Sequence, residues 1–361
     1  MRALALLCVS FLLGGCGEGA AAGPSPSAGG NTPVAGAAAL GGGGSGGGAA
    51  SGGAGGSGSP LAGSAGTSEG GGGAGAGAGS AGGGAGGAPS AQPPTLKVMT
   101  FNIRYGSAPD GDNAWSVRKP LAFDVFTRQD ADLVGVQEAL DAQLVDIDAA
   151  VAGYARVGVG RDDGMKKGEY SAIYYRTSRF ELDASGTFWF SDTPEVPGST
   201  SWGNDIPRIC SWGHFKEKTT GYGFYLYNVH LDHQSQPSRE KSAALLMKRA
   251  SERELPGDPF IVTGDFNAGE ENLATLFMKG EATVDGAGNP SPMVDSFRVA
   301  HPDDDEVKTA HGFNGGTTGG KIDYVFVAPG QMVSAAEIDR TQVDGRYPSD
   351  HYPVTGTFVM P

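Results

Sequence analysis

The run Gly264-Asp265-Phe266-Asn267 closes a β-branched stretch, Ile261-Val262-Thr263, with a tight glycine turn, a carboxylate and an amide. Two later fragments give it meaning: Ile322-Asp323-Tyr324 inside another apolar run, and Ser349-Asp350-His351 near the C-terminus. A carboxylate at a strand end can orient or deprotonate a water. A second carboxylate can hold a histidine in one tautomer and keep it cationic. With a hard cation on oxygen ligands, these are the parts for attack of water on phosphorus. Any one fragment is common, but the three in this order are not.

Further polar residues follow apolar runs in the same way. Asn102 comes after Val98-Met99-Thr100-Phe101, Glu138 after residues 133–137, and His230 after Tyr225-Leu226-Tyr227-Asn228-Val229. Mg2+ or Mn2+ wants oxygen ligands and few carboxylates, so Glu138, Asn102 and Asp350 are the expected metal ligands, Glu138 foremost. Glu138 could instead serve the dipole of a following helix, and Asn102 could be a turn amide. Asp265 is placed to orient or deprotonate the water, with Asn267 as an amide donor to the phosphate. His351, held by Asp323, contacts the phosphate or takes the proton; the sequence leaves open whether Asp265 or His351 is the base. His230 is a second donor. Arg208 and His233 are the expected substrate-binding side chains, although Arg208 reads equally as an ordinary surface arginine.

Strands rich in β-branched and aromatic residues are expected at 96–103, 133–137, 171–175, 210–215, 224–230, 260–264, 322–327 and 353–359. Helical spacing marks 118–128, 140–151 and, most clearly, 238–254. Many strands with few helices imply two packed sheets with helices outside. Asn102, Glu138, His230 and Asp265 would then share one polar rim, where a rigid scaffold holds short loops.

With these motifs in order, the chain resembles the endonuclease/exonuclease/phosphatase superfamily, whose fold is deoxyribonuclease-I-like. The resemblance rests on Thr100-Phe101-Asn102-Ile103-Arg104, Val136-Gln137-Glu138, Asn228-Val229-His230-Leu231-Asp232-His233, Gly264-Asp265-Phe266-Asn267, Lys321-Ile322-Asp323-Tyr324 and Ser349-Asp350-His351. Asp112-Asn113-Ala114-Trp115 and Gly160-Arg161-Asp162-Asp163-Gly164 are similar to marks of an uncharacterised bacterial branch. The resemblance implies an α+β fold, a four-layer α/β/β/α sandwich of two mixed sheets flanked by helices. Val229 stands where relatives usually carry Thr or Ser, and its side chain is expected to point away from the site.

Composition divides the chain. Met1-Arg2 and an apolar run to Leu13 lead into Leu13-Gly14-Gly15-Cys16, a lipobox pattern implying a signal peptide over 1–15 and a lipid on Cys16. Residues 16–94 are almost entirely Gly, Ala, Ser and Pro, with Glu18 and Glu69 their only charges. Such a segment has too little apolar surface to offset its chain entropy, and reads as a disordered tether. Residues 95–361 form one expected domain. The reading is of a monomer lipid-anchored in a bacterial cell envelope, with a phosphate-ester substrate.

A net charge of −14 argues against a broad basic face for nucleic acid. A small phosphodiester therefore fits better than DNA or RNA, although a phosphomonoester, a nuclease or a non-catalytic surface binding module stay open. Cys210 is expected as a buried hydrophobe. The four tryptophans are expected as scaffold, while His214, His301 and His311 show no sequence partner.

Overall fold

The computed structural model describes residues 93–361; the expected signal peptide over 1–15, Cys16 and residues 17–92 lie outside the described residues. Strand β1, Thr95–Asn102, is buried at every position except Thr95 and Lys97. A strand buried on both faces belongs in the middle of a layered fold. It lies parallel to β2 (Leu133–Ala139) and antiparallel to the last strand, Val354–Val359.

The elements between follow in chain order. After β1 come α1 (Trp115–Gln129), β2, α2 (Asp141–Ala150), β3 (Tyr154–Val157), β4 (Tyr170–Arg176), β5 (Phe180–Trp189), β6 (Ile209–Glu217) and β7 (Gly223–His230). Then come α3 (Gln236–Ser251), β8 (Phe260–Asp265), α4 (Leu273–Lys279), the short β9 (Thr283–Val284), β10 (Ala287–Gly288) and β11 (Val294–Asp295), and α5 (Ser296–Ala300). The chain closes with β12 (Asp323–Val327), β13 (Val333–Ile338) and β14 (Val354–Val359).

Two six-stranded sheets result, ordered β13-β14-β1-β2-β4-β3 and β11-β12-β8-β7-β6-β5. Each has one parallel pair at its heart, β1 with β2 and β7 with β8, among antiparallel neighbours. Between the sheets lies a core of Val98, Leu133, Ile173, Phe215, Leu226 and Val325 with their neighbours. On the far face of the first sheet, Phe126 of α1 and Leu144 of α2 belong to a second core. On the far face of the other, Leu246 of α3 and Phe277 of α4 belong to a third. This is the α/β/β/α sandwich expected from the motifs.

Where the inner faces meet beneath the site, the filling is polar. Asn228 Nδ2 donates to the carbonyls of Val136 and Ala172 across the gap, both at 2.9 Å. Asn228 Oδ1 accepts from Gln137 Nε2 (2.7 Å) and Thr263 Oγ1 (3.1 Å). Gly135 permits this closeness, because a Cβ there would overlap Thr263 Oγ1 and Asn228 Oδ1.

The strand expectations stand with ends moved by a residue or two, but β3, β5, β13, the short β9, β10 and β11, and the helices α4 and α5 were not foreseen. The expected helix at 238–254 starts at Gln236, because the Ser235 side chain caps it by accepting Ser238 N–H (3.2 Å). It stops at Ser251. Pro94 is already buried and its carbonyl accepts Met360 N–H (2.9 Å), so packing begins just before the expected Thr95 boundary. Cys210 is fully buried, and burial pushes its thiol up. His214 bridges Asp183 (3.0 Å) and Asp258 (2.8 Å), His301 meets the Ala336 carbonyl (2.9 Å), and His311 stacks on Tyr352.

Candidate active site

Strand registry assembles the site. His230, the last residue of β7, pairs with Asp265, the last of β8, and Asp265 pairs with Asp323, the first of β12. On the facing sheet, Asn102 ends β1 and Glu138 lies in a register irregularity of β2. Backbone geometry is unusual here: Arg104, Glu138 and Asn267 have φ of 57°, 61° and 47°. Non-glycine residues seldom adopt this left-handed region, and such strain concentrates at functional sites. Gly264 is also required, since a Cβ there would overlap the Val229 carbonyl. Val229 itself is buried in the core with α3 and α4, turned from the site as expected.

Asp265 is the hub. Its Oδ1 accepts Asn267 N–H (2.8 Å) and its Oδ2 accepts Asn102 Nδ2–H (2.9 Å). Two imidazoles present Nε2 to the same Oδ2, His230 at 3.6 Å and His351 at 3.9 Å. Burial, reinforced by Asp323, pushes the Asp265 carboxyl up, against the pull of His351. His351 Nδ1 meets Asp323 Oδ2 at 2.9 Å. Burial opposes charge on this ring, yet Asp323, then Asp265 and Asp350, hold it well above the usual histidine range. His230 is the reverse: burial, then the guanidiniums of Arg208 and Arg161, push it well below that range.

The other carboxylates gather beside the hub. Glu138 accepts Asn102 Nδ2–H and Tyr105 N–H, each at 3.0 Å. Arg104 lies 3.6 Å from Asp350, whose carboxyl burial pushes up. Glu138, His230 and Asp265 bring three ligand atoms within 4.8 Å of one another. A donor set this rich in carboxylate oxygen fits a hard divalent cation. Asn102, an expected metal ligand, stands between the carboxylates of Glu138 and Asp265. Its Oδ1 accepts Arg104 N–H (2.9 Å) and its Nδ2 faces the two carboxylates, so it clamps Glu138 and Asp265 together. Asn267 Nδ2 donates to the Leu231 carbonyl (3.0 Å), and that same nitrogen is the expected phosphate donor.

Arg208 and His233 lie together, with Arg208 Nη2 2.8 Å from His233 Nδ1 and Arg208 Nε 3.4 Å from Asp232. Arg208 is no surface arginine; it is 3 % exposed, and its Nη1 is buried without a partner. It borders His230 together with two residues that the sequence reading did not place in the site, Arg161 and Glu169. These two form a bidentate pair at 2.7 and 2.8 Å, and Glu169 Oε2 lies 3.7 Å from His230 Nδ1. The only sequence signals were Arg161 inside the Gly160 to Gly164 run and an acid immediately before a strand. Tyr170 is scaffold, its hydroxyl bonded to Asp141 and to the Met165 carbonyl.

The description "Endonuclease/Exonuclease/phosphatase family" matches residues 99–351, most of the described chain. The chain belongs to this family. A family protein of known structure from Bacteroides thetaiotaomicron is 36% identical, covers 75% of this chain and 97% of its own, and superposes with a TM-score of 0.67. A mannosyl-6-phosphatase from Bacteroides thetaiotaomicron VPI-5482 is 35% identical, covers 73% of this chain and 100% of its own, with a TM-score of 0.65. An uncharacterized protein of Acanthamoeba polyphaga mimivirus is 28% identical over 194 residues, 49% of this chain and 69% of that one. The human nocturnin catalytic domain, 18% identical with a TM-score of 0.58, shares the fold alone. As a family member, the chain is a hydrolase of phosphate esters.

Proposed function

We propose that this protein is a divalent-metal-dependent hydrolase of a small phosphate ester, with a sugar phosphomonoester as the leading substrate. The observation that carries the reading is Asp265 set between two histidine Nε2 atoms, one of them on an Asp323-backed ring. The choice of a sugar monoester rests on the 35% identity to a mannosyl-6-phosphatase over that protein's whole length. It departs from the small phosphodiester favoured by sequence alone.

Glu138 and Asp350, with Asn102 beside Glu138, would hold the cation, Mg2+ or Mn2+. Bound there, the cation would neutralise charge on the phosphate and the leaving oxygen. Asp265 accepts a proton from the attacking water as the new P–O bond forms, and its raised carboxyl suits that task near neutral pH. The ester P–O bond breaks, and the leaving oxygen takes a proton from solvent. His351, held cationic by Asp323, donates Nε2–H to a non-bridging phosphate oxygen. His230 and Asn267 add neutral donors, and Arg208 with His233 would contact the bound ester.

Chelator should abolish hydrolysis of mannose 6-phosphate and related sugar phosphates, and Mg2+ or Mn2+ should restore it. Glu138→Ala should recover part of its rate at high metal concentration, whereas His351→Ala should not. Full activity in chelator would reject the reading, and faster turnover of DNA than of every sugar phosphate would favour the nuclease alternative.

For location, the proposal is a lipid on Cys16 that anchors the protein to an envelope membrane as a monomer, with residues 95–361 as the catalytic domain. Among the described residues no helix is long and apolar enough to cross a membrane. Cys16→Ser should shift the protein from the membrane fraction to the soluble one; a processed Cys16→Ser protein still on membranes would reject the anchor.

A further inference from the structure

A cavity of about 460 Å³ lies on the outer face of the second sheet, beneath the C-terminal half of α3. It is separate from the strand ends that carry the site. Its floor follows from strand periodicity: Trp212 of β6 and Tyr227 of β7 sit side by side and line it, with Gly186 of β5 beside Trp212 on its other flank. Gly186 makes the row possible, since a Cβ there would come within 2.8–2.9 Å of the Trp212 indole. The half-buried ring therefore lies across the glycine. It tilts by 42° on Tyr225 with centroids 6.1 Å apart. Phe188 completes the aromatic lining.

The polar groups of this lining are not used up by the protein. Tyr227 is 3 % exposed and lines the cavity, and its hydroxyl has no hydrogen-bond partner among the described residues. The same holds for Trp212 Nε1–H. Of the cations at the wall, Arg249 pairs with Glu195, and Arg253 donates to the carbonyls of Ala250, Pro256 and Asp258. Lys248 is exposed and has no ion pair among the described residues, while Glu252 and Glu254 stand beside it.

These facts select an occupant. Lys248 and Arg253, the two cations without a carboxylate partner among the described residues, face the two carboxylates of Glu252 and Glu254, a balance that does not suit a multiply charged anion. An acyl chain would leave a buried hydroxyl and an indole N–H unsatisfied, which is costly. A pyranose ring has C–H faces for the aromatic floor and hydroxyls for the tyrosine, the indole and the carboxylates. The volume falls in the range of small-molecule sites, about 300–1,000 Å³. We propose that this cavity is an accessory binding site for a neutral pyranoside of disaccharide size, independent of the reaction assigned to the hydrolytic centre.

The test is calorimetric titration of the full chain with gluco-, manno- and galacto-configured disaccharides, with sodium sulfate and a fatty acid as controls. At least one disaccharide should bind saturably. Trp212→Ala should weaken it about tenfold or more, roughly 1.4 kcal/mol, and Lys248→Ala should weaken it by a smaller factor. Both variants should hydrolyse a small phosphate ester as the wild type does. Lys248 is exposed, so its replacement guards against misreading an unfolded Trp212→Ala protein. Binding by none of the disaccharides, wild-type affinity in both variants, or saturation of the cavity by sulfate or fatty acid instead would overturn the proposal.

Discussion

His351 and His230 face the same carboxylate oxygen of Asp265 with the same ring nitrogen, at 3.9 and 3.6 Å. Their charges are nevertheless set in opposite directions. Behind His351 stands Asp323, in hydrogen-bond contact, and the ring is held cationic. Behind His230 the nearest acid, Glu169, is clamped by Arg161 and stops at 3.7 Å, while Arg208 adds a second guanidinium. Burial disfavours charge on both rings. What differs is the layer behind each ring, so one histidine can neutralise phosphate charge while its neighbour serves as a neutral donor.

The largest expected effect separates the two directly. His351→Ala should lower kcat/KM on a sugar phosphate by ~10³ and His230→Ala by ~10², since a charged donor outweighs a neutral one in a buried site. Equal losses would break the comparison. Next comes Asp323→Asn, with a loss of roughly 10–10². Activity should fail as pH rises through the pKa of His351, and removing Asp323 lowers that pKa. The alkaline limb of the rate profile should therefore move to lower pH, and an unmoved limb would mean that His351 is not the group observed.

Arg208→Gln should cost less, within about tenfold. It removes one cation from beside His230, so the depressed pKa of that ring should rise in an NMR titration of its imidazole, and an unmoved titration would mean that Arg208 does not set its charge. The smallest effect is on stability. His351 has a raised folded pKa, so its contribution is complete below about pH 6.5 and is lost as pH rises through the raised value. His230 has a depressed one, so its contribution is present above about pH 6.5 and is lost as pH falls. Melting temperatures across pH should show the alkaline loss removed in His351→Gln and the acid loss removed in His230→Gln. Gly135→Ala acts on the scaffold shared by both rings. It should destabilise by about 1–3 kcal/mol through overpacking against Thr263 and Asn228, while the ratio of the two histidine effects stays as in the wild type.

Much of this site was legible because strands end where polar residues begin. Asn102, His230 and Asp265 each close an apolar run, and the near-continuous apolar character of strands buried on both faces left little choice of where those runs sit. Strand β5 was missed because a register irregularity between Leu182 and Ala184 breaks its alternation, sending Phe180 and Leu182 into the core between the sheets and Phe188 into the core on the outer face. Small residues at its middle weaken the apolar signal, and they are small because Trp212 lies across Gly186. Arg208 reads as a surface side chain until β6 and the loop after β7 enclose it between Asp232 and His233.

The sequence by itself determined the residue types, their order and the two-sheet architecture, since these depend on local periodicity and on motifs read along the chain. Tertiary structure alone decided that Asn102 clamps two carboxylates and that Arg161 and Glu169 stand behind His230. It also decided that two histidines of one type differ in charge. The reason is physical: a side chain's charge depends on burial and on neighbours that the sheets bring together from distant parts of the chain, such as Asp323 behind His351 and Arg161 near His230, and no local pattern encodes that distance.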